Sequence, residues 1–465
     1  MAMGDMQGVR AHGGILMEED ASAAAGASLP PIRQVAVATA VCAASIGFLT
    51  MAVVSATFLS CGVLFAELLE WFNASRANTA IVGSVLEFTY NAGCLPMPYV
   101  IKRVGAQRMF AIGAFVFVGG LLGDGLARSL EIWIVTHGIL CGLGMAILFM
   151  CQLDSLYTRT PKRHRGICIG ISFAGGGVGA AVLAPLLTAS AAARELPLTM
   201  IIFAVFVAAY LGCVFMLLVL INKFGVFFID VALPVPASPK ASTTVASRGS
   251  RLWHKCAQND VVYWFSDPIY ALLFAALFVY LFGFSVPITH LPQFAQDQGL
   301  DPSEAAALMS IFGVVNAVGR IAFAHLGDLT GGAYFRVFMG TILTNGLVIL
   351  ALPLCRASWS FLAFAMVCGL VAGGRAGLLS LVCCELFGQQ RASRAYALLM
   401  LAFMLSQTLG SLVVGYIYDQ SCSYTIGFVL TGTLMVVAFL LLVVLDCRRA
   451  RCRDSSSRAL DPESH

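Results

Sequence analysis

The sequence predicts an all-α membrane protein, with twelve transmembrane helices arranged as two bundles of six. Three observations carry that reading. Hydrophobic residues make up 59% of the chain and charged residues 11%, with a mean hydropathy of +0.87. A soluble core has no use for so much apolar surface. Twelve apolar stretches between Val35 and Leu445 each approach the ~20 residues that a helix needs to cross about 30 Å of hydrocarbon. They also divide evenly around one polar loop.

Windows of about 19 residues place the first six helices near 35–58, 78–101, 109–127, 132–156, 166–188 and 198–221. The second six fall near 269–290, 304–326, 337–354, 359–385, 395–418 and 425–445. The chain therefore reads as a tail (1–33), a first bundle (34–221), a linker loop (222–267), a second bundle (268–445) and a basic tail (446–465). Two matched halves around a linker suit a secondary transporter.

Lys and Arg set the orientation. Of 28 such residues, Arg76, Arg128, Arg194 and Arg356 fall in outer loops and Arg320 and Arg375 within spans; the other 22 lie in one set of loops and tails. The positive-inside rule makes that set, and both termini, cytoplasmic. Residues 1–33 lack a positive segment followed by a short apolar core, so they read as a disordered tail rather than a cleaved signal. A faint echo links the halves, because Lys102–Arg108 follows the second helix and Gly327–Arg336 follows the eighth.

Fifteen cysteines suggest a disulfide scaffold at first sight. Most of them, including Cys42, Cys141, Cys213, Cys368, Cys383 and Cys384, lie inside spans, where they pack as small apolar residues. Cys447 and Cys452 sit among Arg448, Arg449, Arg451 and Arg453 just past the last helix, as lipidated cysteines do, although a plain basic anchor is the simpler reading. Asn73-Ala74-Ser75 is a glycosylation sequon in a short outer loop, too close to the bilayer for expected use.

An ionisable group within a span is costly and is usually there for a purpose. Arg320, in the eighth span, has no acid one turn away, and Asn316 shares its face. A guanidinium facing a watery gap binds a carboxylate through two parallel hydrogen bonds; the competing reading is a structural arginine bonded to carbonyls of a neighbouring helix. Arg375, in the tenth span, is surrounded by Gly369, Gly373, Gly374 and Gly377, and lining or structural roles suit it equally. Two such arginines favour an anionic solute or demand an acidic partner. Glu87, midway along the second span, is the candidate charge partner and the alternative proton carrier. Asp124 and Asp154 read as interfacial, His137 and His290 as packing or interface groups. Tyr90 is a further cavity candidate.

Other chemistries find no footing. Cys and His show no metal-ligand spacing, and neither a nucleotide-binding loop nor a nucleophile motif occurs. No catalytic residue, metal or cofactor is expected, and the positive charge belongs to the inner loops rather than to a nucleic-acid surface. The fifth span holds Gly170, Gly175, Gly176, Gly177 and Gly179 and then Pro185, a run that permits close packing and bending.

These residues together resemble the monocarboxylate transporter family (solute carrier family 16) of the major facilitator superfamily, over nearly the whole membrane part. The stretch Gly62-Val-Leu-Phe-Ala-Glu-Leu-Leu-Glu-Trp-Phe-Asn-Ala-Ser-Arg76 is similar to that family's first outer segment. Arg159–Gly179 resembles its fourth-loop and fifth-helix signature. The most specific match is Val286-Pro-Ile-Thr-His-Leu-Pro-Gln-Phe-Ala295, followed by Gly299, Ala305–Leu308, Ser310-Ile-Phe-Gly313, Asn316 and Gly319-Arg320. Glu385-Leu-Phe-Gly388 and Ala392-Ser393 continue it.

The resemblance implies a solute held between two bundles that open alternately to each side, with Arg320 at the family's substrate-binding arginine. It also implies a plasma-membrane location and, for some relatives, a single-span accessory glycoprotein. Three positions depart from the proton-linked members. Asn316 replaces an aspartate, Leu59 replaces a lysine, and Ile32-Arg33-Gln34-Val35 replaces the acidic opening motif. The expectation is a carrier of a small organic anion, a monocarboxylate by resemblance, working as a uniporter or exchanger, with Arg320, Asn316, Arg375 and Tyr90 around the solute. A carrier of aromatic amino acids or hormone-like carboxylates remains open, as does a non-transporting sensor on the same frame.

Overall fold

Inside hydrocarbon a backbone N–H or C=O has no water to bond, so each crossing segment must satisfy its polar groups internally. The structure, a computed structural model, does this with helices throughout; it describes residues 31–193, 196–229, 264–421 and 424–460. The first half contains α1 (Pro31–Phe72), α2 (Arg76–Cys94), α3 (Met97–Val104), α4 (Ala106–Leu126), α5 (Leu130–Trp133), α6 (Gly142–Arg159), α7 (Arg165–Ala193) and α8 (Leu196–Ile229). The second contains α9 (Pro268–Asp297), α10 (Pro302–Leu329), α11 (Tyr334–Ala351), α12 (Ser358–Phe387), α13 (Gln389–Ser421) and α14 (Tyr424–Leu460).

These make twelve crossings. α2 and α3 form one, interrupted at Leu95–Pro96, and α5 and α6 form another through a π-helical stretch, Ile134–Cys141. Among the described residues, eight crossings are long and apolar enough to span a bilayer on length and composition alone. α2 falls below that mark because Asn78, Thr79, Ser84, Glu87, Thr89 and Asn91 dilute its apolar content.

Helix limits differ from the expected ones where an apolar or basic stretch carries the helix onward. α1 continues to Phe72, through the expected first outer segment, and Asn73 turns the chain at φ 47°. Ser75 then starts α2, its hydroxyl accepting the Asn78 N–H at 3.2 Å, as an N-cap serine does. α14 runs to Leu460, well past the membrane part. The expected N-terminal tail, up to residue 30, and most of the linker loop, 230–263, lie outside the described residues.

The echo between halves is a shared turn. Gly105 (φ 95°) separates α3 from α4, and Gly331 and Gly332 (φ 73° and 89°) separate α10 from α11. A side chain would strain the backbone at these angles.

The halves pack through α7 against α10, and through α13 against α2 and α6. Glycines set how close α10 can lie to its neighbours. A methyl group on Gly170 of α7 or on Gly377 of α12 would come within 2.7 Å of the same atom, the Arg320 carbonyl oxygen. On Gly373 it would meet the Asn316 carbonyl, and on Gly369 the Phe312 carbonyl. The i, i+4 repeat of glycines on α12 thus follows the i, i+4 repeat of Phe312, Asn316 and Arg320 on α10, the small-residue contact that membrane helices use.

At the end of the bundle that carries the basic loops, polar bonds tie the halves together. Asp328 accepts the Gly166 and Ile167 N–H groups at 2.9 and 2.8 Å and the Tyr334 hydroxyl at 2.6 Å. Arg165 Nη2 donates to Gln389 Oε1 at 2.9 Å, and the Gln389 amide donates to the Tyr157 carbonyl. Tyr157 in turn donates to the Ser380 carbonyl at 3.1 Å, and Ser393 donates to Asp154 at 3.3 Å.

Candidate functional site

Arg320 lies on the face of α10 that meets both α7 and α12. Its Nε donates to Asn316 Oδ1 at 3.0 Å, one turn earlier, and its Nη1 donates across the seam to the Phe173 carbonyl of α7 at 2.6 Å. Asn316 is itself held, because its Nδ2 donates to the Gly369 carbonyl of α12 at 3.3 Å. Gly176 makes room for the guanidinium: a methyl group there would stand 3.0 Å from Nη1 and 2.5 Å from the Ser55 hydroxyl of α1. Among the described residues, Nη2 meets no acceptor. The residue is only partly buried.

An arginine in this position has two fates open to it, solute contact or carbonyl anchoring. The geometry contains a share of each. One donor is spent on a carbonyl of the opposite half, one on Asn316, and one remains.

Arg375, on α12, lies within electrostatic range of Arg320. Its guanidinium carbon stands 4.7 Å from the centroid of Phe284, 5.4 Å from Tyr280 and 5.7 Å from Phe403. Rings at such distances compensate a cation through their quadrupoles. The Tyr280 hydroxyl accepts Asn345 Nδ2 at 2.6 Å, which fixes one wall of this cage. Arg375 is only 6% exposed, and its Nε has no hydrogen-bond partner.

Aromatic rings connect the two arginines to the first half. Tyr396 of α13 lies within electrostatic range of both Arg320 and Arg375. Its ring is 5.8 Å from Phe149 of α6, which also contacts Tyr90 (5.8 Å) and Phe173 (5.9 Å). Tyr90 of α2 comes within electrostatic range of Arg320 from the opposite half and packs on Phe58.

Of the residues singled out in the sequence, Arg320, Asn316, Arg375 and Tyr90 therefore gather in one region. Glu87 does not join them. It is half-buried on α2 and forms no ion pair with either arginine among the described residues, and its carbonyl accepts the Asn91 side chain at 2.8 Å. Phe173, Gly176, Tyr280, Phe284, Tyr396 and Phe403 were not singled out as site residues. A carbonyl acceptor has no sequence signal, and aromatics are too common in membrane helices to stand out.

Asp124 is a correction. It is expected at an interface, yet it forms a fully buried pair between α4 and the π-helical stretch with His137, which packs as a satisfied core group, Asp124 Oδ2 to His137 Nδ1 at 2.6 Å. Thr136 donates to the other carboxylate oxygen at 2.5 Å, and Trp133 stacks on the imidazole with centroids 5.1 Å apart. Cys141 completes a group whose ligand atoms lie within 4.8 Å of one another. The 2.6 Å contact is a hydrogen bond; two donors on one zinc ion would stand about 3 Å or more apart. His290 and Leu59 belong to helices whose side chains at those positions lie outside the described residues.

Comparison with known proteins agrees with this architecture. The Major Facilitator Superfamily family model matches residues 43–353 and again 273–459. The chain is 26% identical over 418 residues to monocarboxylate transporter 12-B of Danio rerio, covering 85% of each protein. To monocarboxylate transporter 10 of Homo sapiens it is 27% identical over 384 residues, covering 80% of this chain and 71% of that one. Its fold matches a Major Facilitator Superfamily transporter, FucP, crystallised in the outward conformation, with a TM-score of 0.62 at 12% identity, over 86% of this chain and 98% of that one. Twelve crossings in two halves, a family match running through both, and relatives that are membrane carriers place the protein among transporters rather than enzymes. The chain belongs to the Major Facilitator Superfamily.

Proposed function

We propose that this protein carries a small organic anion bearing a carboxylate across the plasma membrane by alternating access, with both termini in the cytoplasm. The observation that supports this best is Arg320 itself. It is a permanent cation at the seam of the two halves, with Asn316 orienting it and Nη2 left over. A carboxylate arriving there gains a charge-assisted hydrogen bond and can displace the Phe173 carbonyl to gain a second. Tyr90 and Tyr396 bring an apolar surface with hydroxyl groups to the same region from the two halves. The relatives named monocarboxylate transporters fit the same ligand chemistry.

Coupling follows from Asn316, which bonds but cannot titrate. The proposed mode is uniport or exchange, with no proton taken up beside Arg320. Glu87 is the remaining intramembrane carboxylate on α2 able to carry a proton. The test is uptake of labelled organic anions into proteoliposomes, with and without a pH gradient, by wild-type, Arg320→Lys and Glu87→Gln proteins reconstituted in equal amounts. The expected result is saturable uptake that Arg320→Lys lowers by at least about tenfold, because a lysine lacks the fork. Saturable binding without flux would favour a sensor on the transporter frame. Strong proton-driven uptake that survives Glu87→Gln would overturn the proposed coupling.

A further inference from the structure

We infer that Arg375 forms a second anion subsite beside Arg320, so that the solute carries two acidic groups, a dicarboxylate rather than a monocarboxylate. This rests on the proposed role of Arg320 and extends it. Arg320 has as electrostatic neighbours Arg375, Tyr396 and Tyr90, none of them an acid. The groups around Arg375 are Tyr280, Phe284, Phe403, Tyr396 and Arg320. Among the described residues no Asp or Glu pairs with either arginine. Two permanent cations within electrostatic range repel each other, and within a membrane protein each also loses hydration.

Hydrogen bonding gives a second, independent reason. The Tyr280 hydroxyl is a hydrogen-bond partner of Arg375, but the Phe284 and Phe403 rings, which ease its charge, accept no conventional hydrogen bond. The residue is 94% buried by its 6% exposure, and its Nε is unpaired. A buried guanidinium donor without an acceptor is unfavourable by more than a neutral one, so the arrangement is incomplete as it stands. An incoming carboxylate supplies both missing elements, a negative charge and an acceptor. Nη2 of the partly buried Arg320, on the neighbouring helix, also meets no acceptor among the described residues. A ligand with one acid satisfies one of these; a ligand with two satisfies both, and neutralises the pair.

The occupants can be separated by chain-length series. Purified wild-type protein in proteoliposomes is loaded with one labelled anion, and competition is measured for linear saturated dicarboxylates of four to eight carbons against monocarboxylates of equal length. The expected result is that at least one dicarboxylate competes tenfold or more better than its monocarboxylate counterpart. In Arg375→Gln, and in Arg375→Lys as the variant that keeps the charge, the ratio between the two classes falls, furthest in Arg375→Gln. Thermal melts of both variants report whether they are folded; if neither is, the wild-type series alone decides. Equal or better competition by monocarboxylates, or by chloride or phosphate alone, overturns the second subsite while leaving Arg320 as a carboxylate site. If no organic anion competes at all, the reading of Arg320 fails, and the dicarboxylate proposal with it.

Discussion

The carboxylate of Asp328, at the end of α10, caps the first turn of α7 across the seam by accepting the N–H of Gly166 at 2.9 Å, with Ile167 alongside at 2.8 Å. An anion at a helix N-terminus meets unpaired N–H groups and the positive end of the helix dipole. Here the cap and the helix belong to opposite halves, so a common capping interaction becomes a clasp between them. Asp328→Asn keeps one acceptor and removes the charge, a loss of about 1–2 kcal/mol from the clasped state. Cys168, buried beside this clasp, reports on it. In inside-out vesicles, its labelling by an impermeant thiol reagent, followed by peptide mass spectrometry, is expected to speed up in Asp328→Asn. An unchanged rate would mean that the clasp does not hold this end shut.

Helix approach supplies a second prediction. Gly170→Ala and Gly377→Ala each push a methyl group to 2.7 Å from the Arg320 carbonyl, closer than such contacts are tolerated. Overpacking of this kind lowers stability by about 1–3 kcal/mol. Gly212→Ala meets nothing within 4 Å and serves as the control. Melting in detergent is expected to fall for the first two and to hold or rise for the third. Equal melting for all three would refute the packing account.

Restoring an ionisable group gives a third. Asn316→Asp would set a carboxylate where the amide oxygen now stands, 3.0 Å from Arg320 Nε. It would compete with the solute for the guanidinium when ionised and release it when protonated. Uptake by the variant is expected to be weak at neutral pH and to rise as pH falls, by tenfold or more over the titration, while wild-type uptake of a fully ionised anion stays flatter. A variant with the wild-type pH profile would count against any solute contact at this arginine.

The Asp124–His137 pair should matter for stability and little for recognition. It is fully buried, and breaking such a pair by removing one partner costs about 3–5 kcal/mol, because the other is left without compensation. Asp124→Ala is expected to melt well below wild type yet to keep the same apparent affinity for transported anions in whatever protein remains folded. A changed affinity with unchanged melting would reverse that assignment.

The sequence made the spans and the register of α10 legible, because membrane thickness fixes helix length and a charge inside a span is rare enough to notice. Arg320 and Asn316 were found together for that reason: four residues apart on one helix means one face. The Asp124–His137 pair escaped because it joins two helices, one of them π-helical, and neither partner is unusual near a membrane surface. Phe173 escaped because its contribution is a carbonyl, identical in every residue. The glycines of the fifth span were visible as a run, but not their division of labour, in which Gly170 and Gly177 face α10, Gly175 and Gly179 face α1, and Gly176 admits a guanidinium.

The bond from Arg320 to the Phe173 carbonyl joins the two halves, which under the proposed alternating access would have to separate when the carrier changes sides. An empty carrier would then break a short charge-assisted link with nothing to replace it, whereas a loaded one hands the guanidinium a new partner first. Cargo would thus act as the key that frees the hinge, and exchange of one solute for another would outpace the return of the vacant protein.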